Sequence, residues 1–457
     1  MSARDEYVLS AVLPAVFCAR TRGKRNARHA TRLAVSDGKM EAPMQRHKPD
    51  FILLATTLCL LAYGLVMVFS ASMVWAIQVS GTSPSYYFVH QLESACIGLV
   101  GMFILMNVPY QFLRKMAKWI TIGTVIALFL VLIPHIGYSA QGVRRWIGPP
   151  ALHFQPSEFA LVGILFYLAY IYDKNERHTL KFKRGVLPPL IMLGVQFILI
   201  LLEPDMGTGM LLLLSGLAVM FAAGIRWKHI IAVGLGALPV VFAFARFESY
   251  RNKRLMVFGH TWDPAYQGQG VYQLQQSLIA IHHGGWFGQG LGRGISPFLY
   301  LPIPYADFVF AVIVEELGLV GAAVLLVLFA VLIWRGIRIS QRLSNRFSSL
   351  LAVGIVSLIG FGVVINVGAV TGLMPITGIP LPYISYGGTS LLVKLLAMGV
   401  LLSLSRYTSE PEHAARTADA KNVRIFPAAP AAGRRNRRSP ARERTAPAGL
   451  HNAVRLK

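Results

Sequence analysis

The sequence predicts an all-α polytopic membrane protein, with about ten transmembrane helices and a large extracytoplasmic loop between helices 7 and 8. Three observations carry that expectation. Of 457 residues, 54% are hydrophobic and only 14% are charged, outside the range of ordinary soluble domains. Apolar windows long enough to cross a hydrocarbon core recur ten times along the chain. The Lys and Arg residues between them alternate as membrane insertion requires.

The windows lie near 51–76, 88–108, 119–137, 157–172, 186–202, 207–225, 229–247, 307–333, 348–373 and 389–406. With a basic amino terminus inside, every even-numbered connection should be basic. These connections carry Arg114, Lys115 and Lys118; Lys174, Arg177, Lys181, Lys183 and Arg184; Arg226 and Lys228; and Arg335, Arg338, Arg342 and Arg346. The rule holds at all four and puts both termini in the cytoplasm. Three regions follow: a disordered basic leader over 1–50, with Met40 and Met44 as alternative starts; a membrane domain over 51–406; and a disordered basic tail over 407–457.

The formal net charge of +24 would suit a nucleic-acid binder, but 21 of the 44 Lys and Arg residues lie in the leader and tail. No basic module interleaved with aromatics accompanies them. They read as solvated segments beside anionic membrane lipid, with no nucleic-acid partner. Cys18, Cys59 and Cys96 have neither metal-binding nor redox spacing, which argues against a disulfide framework or a structural zinc site.

Two outer connections run against the charge rule. The third holds Arg144 and Arg145, and the seventh, 248–306, holds Arg251, Lys253, Arg254 and Arg293. Such residues either hold an anion at the outer surface or cap helices and pair with acids. Within the seventh connection, "YQLQQSLIAI" (272–281) predicts a short amphipathic helix. The glycine-dense "HHGGWFGQGLGRG" after it lacks the strand-turn-helix setting of a dinucleotide fingerprint and predicts tight turns that bring backbone close to a ligand.

The eighth window raises a sharper question, because "YADFVFAVIVEELGLVG" (305–321) places Asp307, Glu315 and Glu316 in an apolar run. A charge at mid-membrane costs roughly 2.5–3.5 kcal/mol on the lenient insertion scale. One continuous helix from Asp307 to Ile333 would be about 40 Å long, with Asp307 at the outer interface and Glu315 about 12 Å deeper. Glu158, Glu203, Asp205 and Lys394 could line the same cavity, and for Glu316 and Lys394 a structural ion pair is the simpler reading. Asp307 differs. At an outer mouth a carboxylate can take a proton from a hydroxyl nucleophile, while arginines stabilise a departing pyrophosphate. Together these residues suggest group transfer at the membrane surface.

The ordered motifs "GLVMVFSAS" (64–72), "GVRRWIG" (142–148), "FQPSE" (154–158), "EPDMGT" (203–208), "DPAYQGQGVYQLQQSLIAI" (263–281), "YADFVFAVIVEELGLVG" and "GIPLPYISYGGTS" (378–390) resemble the SEDS family of shape, elongation, division and sporulation proteins. The resemblance implies a ten-helix fold and a peptidoglycan glycosyltransferase that polymerises lipid II at the outer face of the bacterial cytoplasmic membrane. It implies that Asp307 is catalytic and deprotonates the acceptor hydroxyl. Arg144, Arg145 and Glu158 become substrate-binding candidates, with Arg145 near phosphate; Arg251, Arg254, Gln276, Ser277, Glu315, Ser385 and Gly387 complete the set. Where the family commonly has lysine three positions after the "QPSE" glutamate, this chain has Leu161. Glu158 is therefore expected to pair with Arg144 or Arg145, or to stay solvated or protonated.

The expected partners are lipid II, a class B penicillin-binding protein, and other divisome or elongasome proteins. No cofactor is required, although the outer acids would permit a divalent Mg or Mn ion. "EPD" at 203–205 and the extended tails point to the division branch and the septum. Two other functions fit the resemblance: a lipid II flippase, and a non-catalytic scaffold for the penicillin-binding protein.

Overall fold

The computed structural model describes residues 46–140, 143–148, 154–179, 181–247, 261–263, 269–295 and 301–408. Apart from 46–50 and 407–408, the basic leader and tail lie outside them, as do Arg251 and Arg254.

The elements in chain order are α1 (Phe51–Gln78), α2 (Tyr86–Asn107), α3 (Tyr110–Leu132), β1 (Gly137–Ala140), β2 (Val143–Ile147), α4 (Pro156–Lys174) and α5 (Leu187–Leu202). They continue with α6 (Met206–Ala222), α7 (Trp227–Phe247), α8 (Gln269–Gly284), α9 (Val309–Arg342), α10 (Arg346–Val370) and α11 (Gly388–Ser405). Every apolar window is occupied by a helix, and the amphipathic 272–281 segment falls in α8. Among the described residues, seven helical segments are long and apolar enough to cross a membrane, the α5 segment counted from Phe182. α4 and α6 fall short of that standard; α6 has 17 residues and α4 carries Glu158, Asp173 and Lys174. The third helix starts nine residues before its window, because Arg114, Lys115 and Lys118 belong to its first turns rather than to a loop. The antiparallel β1–β2 hairpin after α3 was not legible in the apolar pattern.

One face of the bundle is laced together by its basic connections. Asp50 caps α1 by accepting from the Leu53 N–H at 3.0 Å, and its other carboxylate oxygen lies 2.6 Å from Arg335 near the end of α9. The Asp50 N–H donates to Ser405 at the end of α11, so the first and last spans meet at this face. A chain that leaves and returns to one face crosses an even number of times. Arg346 joins Glu176, between α4 and α5, to the Ala223 carbonyl, between α6 and α7. Arg114 pairs with Asp173 at 2.5 Å. The even-numbered connections therefore share a side, as the charge pattern predicted.

Spans pack by close backbone approach rather than by hydrophobicity, which gives no advantage in lipid. A Cβ on Gly399 of α11 would lie 2.5 Å from the Met102 carbonyl of α2, so only glycine permits this contact. Cys59 and Cys96 are exposed, unpaired positions on the spans.

α9 departs most from expectation. It is interrupted at Gly318, whose φ of 69° and ψ of −173° are open essentially to glycine alone. The expected continuous helix is thus a short segment, 309–317, followed by a longer one from 319 that can cross the bilayer alone. Breaking a buried helix strands backbone groups that must find partners within the protein. The glycine-dense loop supplies them: Gln289 and Gly290 N–H donate to the Glu315 and Glu316 carbonyls, both at 2.9 Å. In return, Leu319 and Val320 N–H donate to Gly285 and Trp286 carbonyls at 3.0 and 3.2 Å. The turns expected to approach a ligand instead approach a broken helix.

Candidate active site

Asp307 lies in the turn just before α9 and is half-buried. Its main-chain carbonyl accepts from Asn366 Nδ2 of α10 at 2.9 Å, and the same amide donates to the Ile379 carbonyl at 2.7 Å. Two residues earlier, the Tyr305 carbonyl accepts from the Tyr386 N–H at 2.9 Å. The catalytic candidate is therefore held through its backbone by α10 and by the 379–387 segment.

An aromatic wall stands beside it. Tyr305 lies 4.4 Å from Tyr87 and 5.5 Å from Tyr386, centroid to centroid, with Trp75 at 6.4 Å. Burial, then the neighbouring Tyr87, raises the Tyr305 phenol far above its usual range, and burial with Tyr86 pushes Tyr386 up to about 12. Both remain neutral donors at physiological pH.

The 379–387 segment is clamped from α2. Gln91 donates to the Ser385 carbonyl and accepts from the Gly387 N–H, each at 3.1 Å. Ser385 is buried, and its hydroxyl accepts from the Leu381 N–H at 2.8 Å. It shapes this segment. Ser277 of α8 is likewise buried and donates to the Val370 carbonyl at 2.8 Å, while the neighbouring Gln276 is half-buried on the same helix.

Glu158 corrects the sequence reading. Its partner is Lys394 of α11, at 3.0 Å, and both are buried; Lys394 also donates to Ser390 at 2.5 Å. The cation comes from another helix and not from the outer connection. Arg145 is engaged elsewhere, donating to the Glu203 and Pro204 carbonyls, whereas Arg144 is exposed. Gln155 closes the gap: its side chain donates to Asp205 and Ser157, and its N–H donates to Thr389 at 3.3 Å. Burial and the nearby Asp205 carboxylate raise Glu203 from 4.5 to about 8, against the opposing pull of Ser157 and Arg145.

Glu315 and Glu316 also sit differently from expectation. Ser70 bonds the Glu316 carboxylate at 2.6 and 2.8 Å, and lies 19 residues into α1, about 29 Å from the basic face. Asn366, beside Asp307, is 20 residues into α10, about 30 Å from that face. Asp307 and Glu316 are therefore at similar depth near the opposite face, and segment 309–317 does not carry its carboxylates down into the lipid core. Glu315 accepts from the Ile295 N–H at 3.0 Å, and the Gly292 N–H reaches Ser70 at 3.1 Å. The two glutamates anchor the outer loop.

The structure thus connects Arg145, Glu158, Ser385, Gly387 and Asp307 through one contact network, with Glu315 and Ser277 supporting adjacent elements. Sequence reasoning missed Asn366 and Gln91. An amide inside an apolar span was the available signal for Asn366. Among the described residues, no group of three or more His, Cys, Asp or Glu side chains is arranged to hold a metal ion.

Comparison with known proteins gives a concordant result. The FtsW/RodA/SpoVE cell cycle protein family matches residues 51–410. Stage V sporulation protein E of Bacillus subtilis is 42% identical over 365 residues, covering 80% of this chain and 99% of that protein. The probable peptidoglycan glycosyltransferase FtsW of Geobacter sulfurreducens is 38% identical over 358 residues, covering 78% and 95%. Among solved structures, a chain from work on the coordination of polymerization and crosslinking by a peptidoglycan synthase complex aligns with a TM-score of 0.64 and 27% identity, covering 78% of this chain and 98% of its own length. The rod shape determining protein RodA of Thermus thermophilus aligns with a TM-score of 0.58 and 25% identity, covering 79% and 98%. With its helical core and motif segments matched from end to end, this chain belongs to the FtsW/RodA/SpoVE family, the SEDS proteins.

Proposed function

We propose that this protein is a peptidoglycan glycosyltransferase that polymerises lipid II at the outer face of the bacterial cytoplasmic membrane, with Asp307 as general base. The observation that carries the reading is the half-buried Asp307 in a turn fixed by Asn366 and Tyr386, at the end of the bundle opposite the basic connections. The relatives named as probable peptidoglycan glycosyltransferases support the reaction class.

In this reading the Asp307 carboxylate accepts the proton of the acceptor sugar hydroxyl. The oxygen then forms a bond to the donor's anomeric carbon as the bond to the lipid pyrophosphate breaks, and the pyrophosphate leaves with its electron pair. Arg144, exposed on β2, is the better cation for that leaving group, because Arg145 already serves two carbonyls. Any divalent Mg or Mn ion would be held chiefly by the pyrophosphate oxygens, since no acid cluster of the described residues is shaped to hold it.

The basic face belongs in the cytoplasm, which puts both termini inside. A class B penicillin-binding protein supplies cross-linking, a pairing supported by the likeness to a chain of a peptidoglycan synthase complex. Septal synthesis is the favoured setting, with relatives from both the FtsW and SpoVE branches. The test is polymerisation of labelled lipid II by the purified protein, with and without its class B partner, beside a translocation assay in the same vesicles. Glycan strands support the enzyme; translocation without strands would favour a flippase, and neither activity in an intact complex would favour a scaffold.

A further inference from the structure

A cleft lined by both basic and apolar side chains lies at the basic face, far from Asp307. It measures about 900 Å³ and lies between the first turns of α3 and the last turns of α4. Arg114, Lys115 and Lys118 enter it from α3 and Lys174 from α4. Asp173 offsets one of these four cations through its 2.5 Å pair with Arg114, and Lys115, Lys118 and Lys174 carry the surplus. Lys118 is drawn over the Tyr170 ring at 5.3 Å, which holds its ammonium within the cleft.

Topology alone accounts for basic residues at this face and for lipid-facing apolar side chains, but not for a cleft that joins the two. Trp119 and Ile122 line the same cavity, and the exposed positions Trp119, Ile122, Ile126 and Phe129 continue from it along one side of α3. Their spacing of three and four residues forms an apolar stripe running from the cations toward the bilayer centre. An acidic protein segment would use the cations and leave that stripe unused. A molecule with a phosphate at one end and acyl chains at the other matches both.

We propose that the α3–α4 cleft binds an anionic phospholipid of the adjoining leaflet, its phosphodiester held by Lys115, Lys118 and Lys174 and its acyl chains laid along Trp119, Ile122 and Ile126. Basic pockets between spans are suited to such headgroups. The site is separate from the catalytic reading and does not depend on it.

The experiment is native mass spectrometry of the full-length protein in detergent, titrated with cardiolipin and, in parallel, with zwitterionic phosphatidylcholine. Lys115→Gln with Lys118→Gln should weaken cardiolipin binding about tenfold, about 1.4 kcal/mol, without changing phosphatidylcholine binding. The matching Lys→Arg pair should retain it, as should Lys183→Gln with Arg184→Gln at the next basic connection. Trp119→Ala, which leaves every cation in place, should also weaken it. Equal losses at both basic connections would reduce the site to general surface charge and overturn the proposal. Displacement of cardiolipin by millimolar inorganic phosphate, or full retention in Trp119→Ala, would also overturn it, because either would show a phosphate site with no role for the lipid chains.

Discussion

Replacing Lys394 by methionine keeps its apolar stem and removes the ammonium that faces Glu158. At 3.0 Å the pair attracts by about 5.5 kcal/mol at an effective dielectric constant of about 20. Desolvation costs several kcal/mol for each ion, so the intact pair contributes little net stability. The broken pair is another matter: Glu158 is 4% exposed, and stranding one partner of a buried pair costs about 3–5 kcal/mol. Lys394→Met should therefore be strongly destabilising, while Glu158→Leu combined with Lys394→Met should recover most of the loss. Thermal unfolding in detergent, run at one scan rate because such unfolding is irreversible, would measure the ordering. Arg144→Gln should leave stability unchanged. A double variant no more stable than Lys394→Met would refute the assignment of Lys394 as the partner of Glu158.

Gly318→Ala should lose about 2–3 kcal/mol, since the backbone conformation excludes a side chain and the new Cβ would meet the Trp286 carbonyl at 2.4 Å; Gly123→Ala, with nothing within 4 Å, should be neutral or slightly stabilising in the same melt. Glu203, raised to about 8, holds its proton in the folded state after the unfolded chain has released it. Between about pH 4.5 and 8 the folded state binds more protons, so stability should fall as pH rises through that window, and Glu203→Gln should flatten the fall. Asn366→Ala removes the amide that joins the Asp307 carbonyl to the Ile379 carbonyl and should lower kcat for lipid II polymerisation about tenfold with a smaller effect on KM. An unchanged kcat would show that the turn holds itself.

Much of the architecture could be read from the sequence because two strong signals agree in it. Bilayer thickness sets the length of an apolar window, and insertion sets the side on which cations collect, so helix positions and the shared face of Asp50, Arg335, Arg346 and Ser405 followed directly. The break in α9 was hidden, because Gly318 sits in an apolar run that reads as one continuous helix. Its partner loop was visible as glycine density, but the reason for that density is a contact between segments 284–290 and 314–320, which no local pattern encodes. For the same reason Glu315 and Glu316 looked like mid-membrane charges, when their carboxylates hold Ser70 and the loop backbone.

Within the candidate site, Asp307 was legible as a carboxylate at a helix mouth flanked by aromatics. The partner of Glu158 was not: pairing to Lys394 spans 236 residues, and the nearer Arg144 and Arg145 were the natural candidates. Ser277 and Ser385 match family motifs, but the structure buries them in backbone contacts. A motif can persist around a site because it builds the wall as well as because it touches the substrate.

The central claim is that Asp307 supplies the base for glycan polymerisation, and Asp307→Asn tests it most directly, because Asn366 and Tyr386 hold the turn through its backbone and the near-isosteric amide removes the basic carboxylate. With native and variant protein matched in thermal stability and in complex with the class B partner, labelled lipid II should yield glycan strands from the native complex, and strands reduced at least a hundredfold from the variant, within the range attributed to a general base. Strands of equal yield from both would contradict the account.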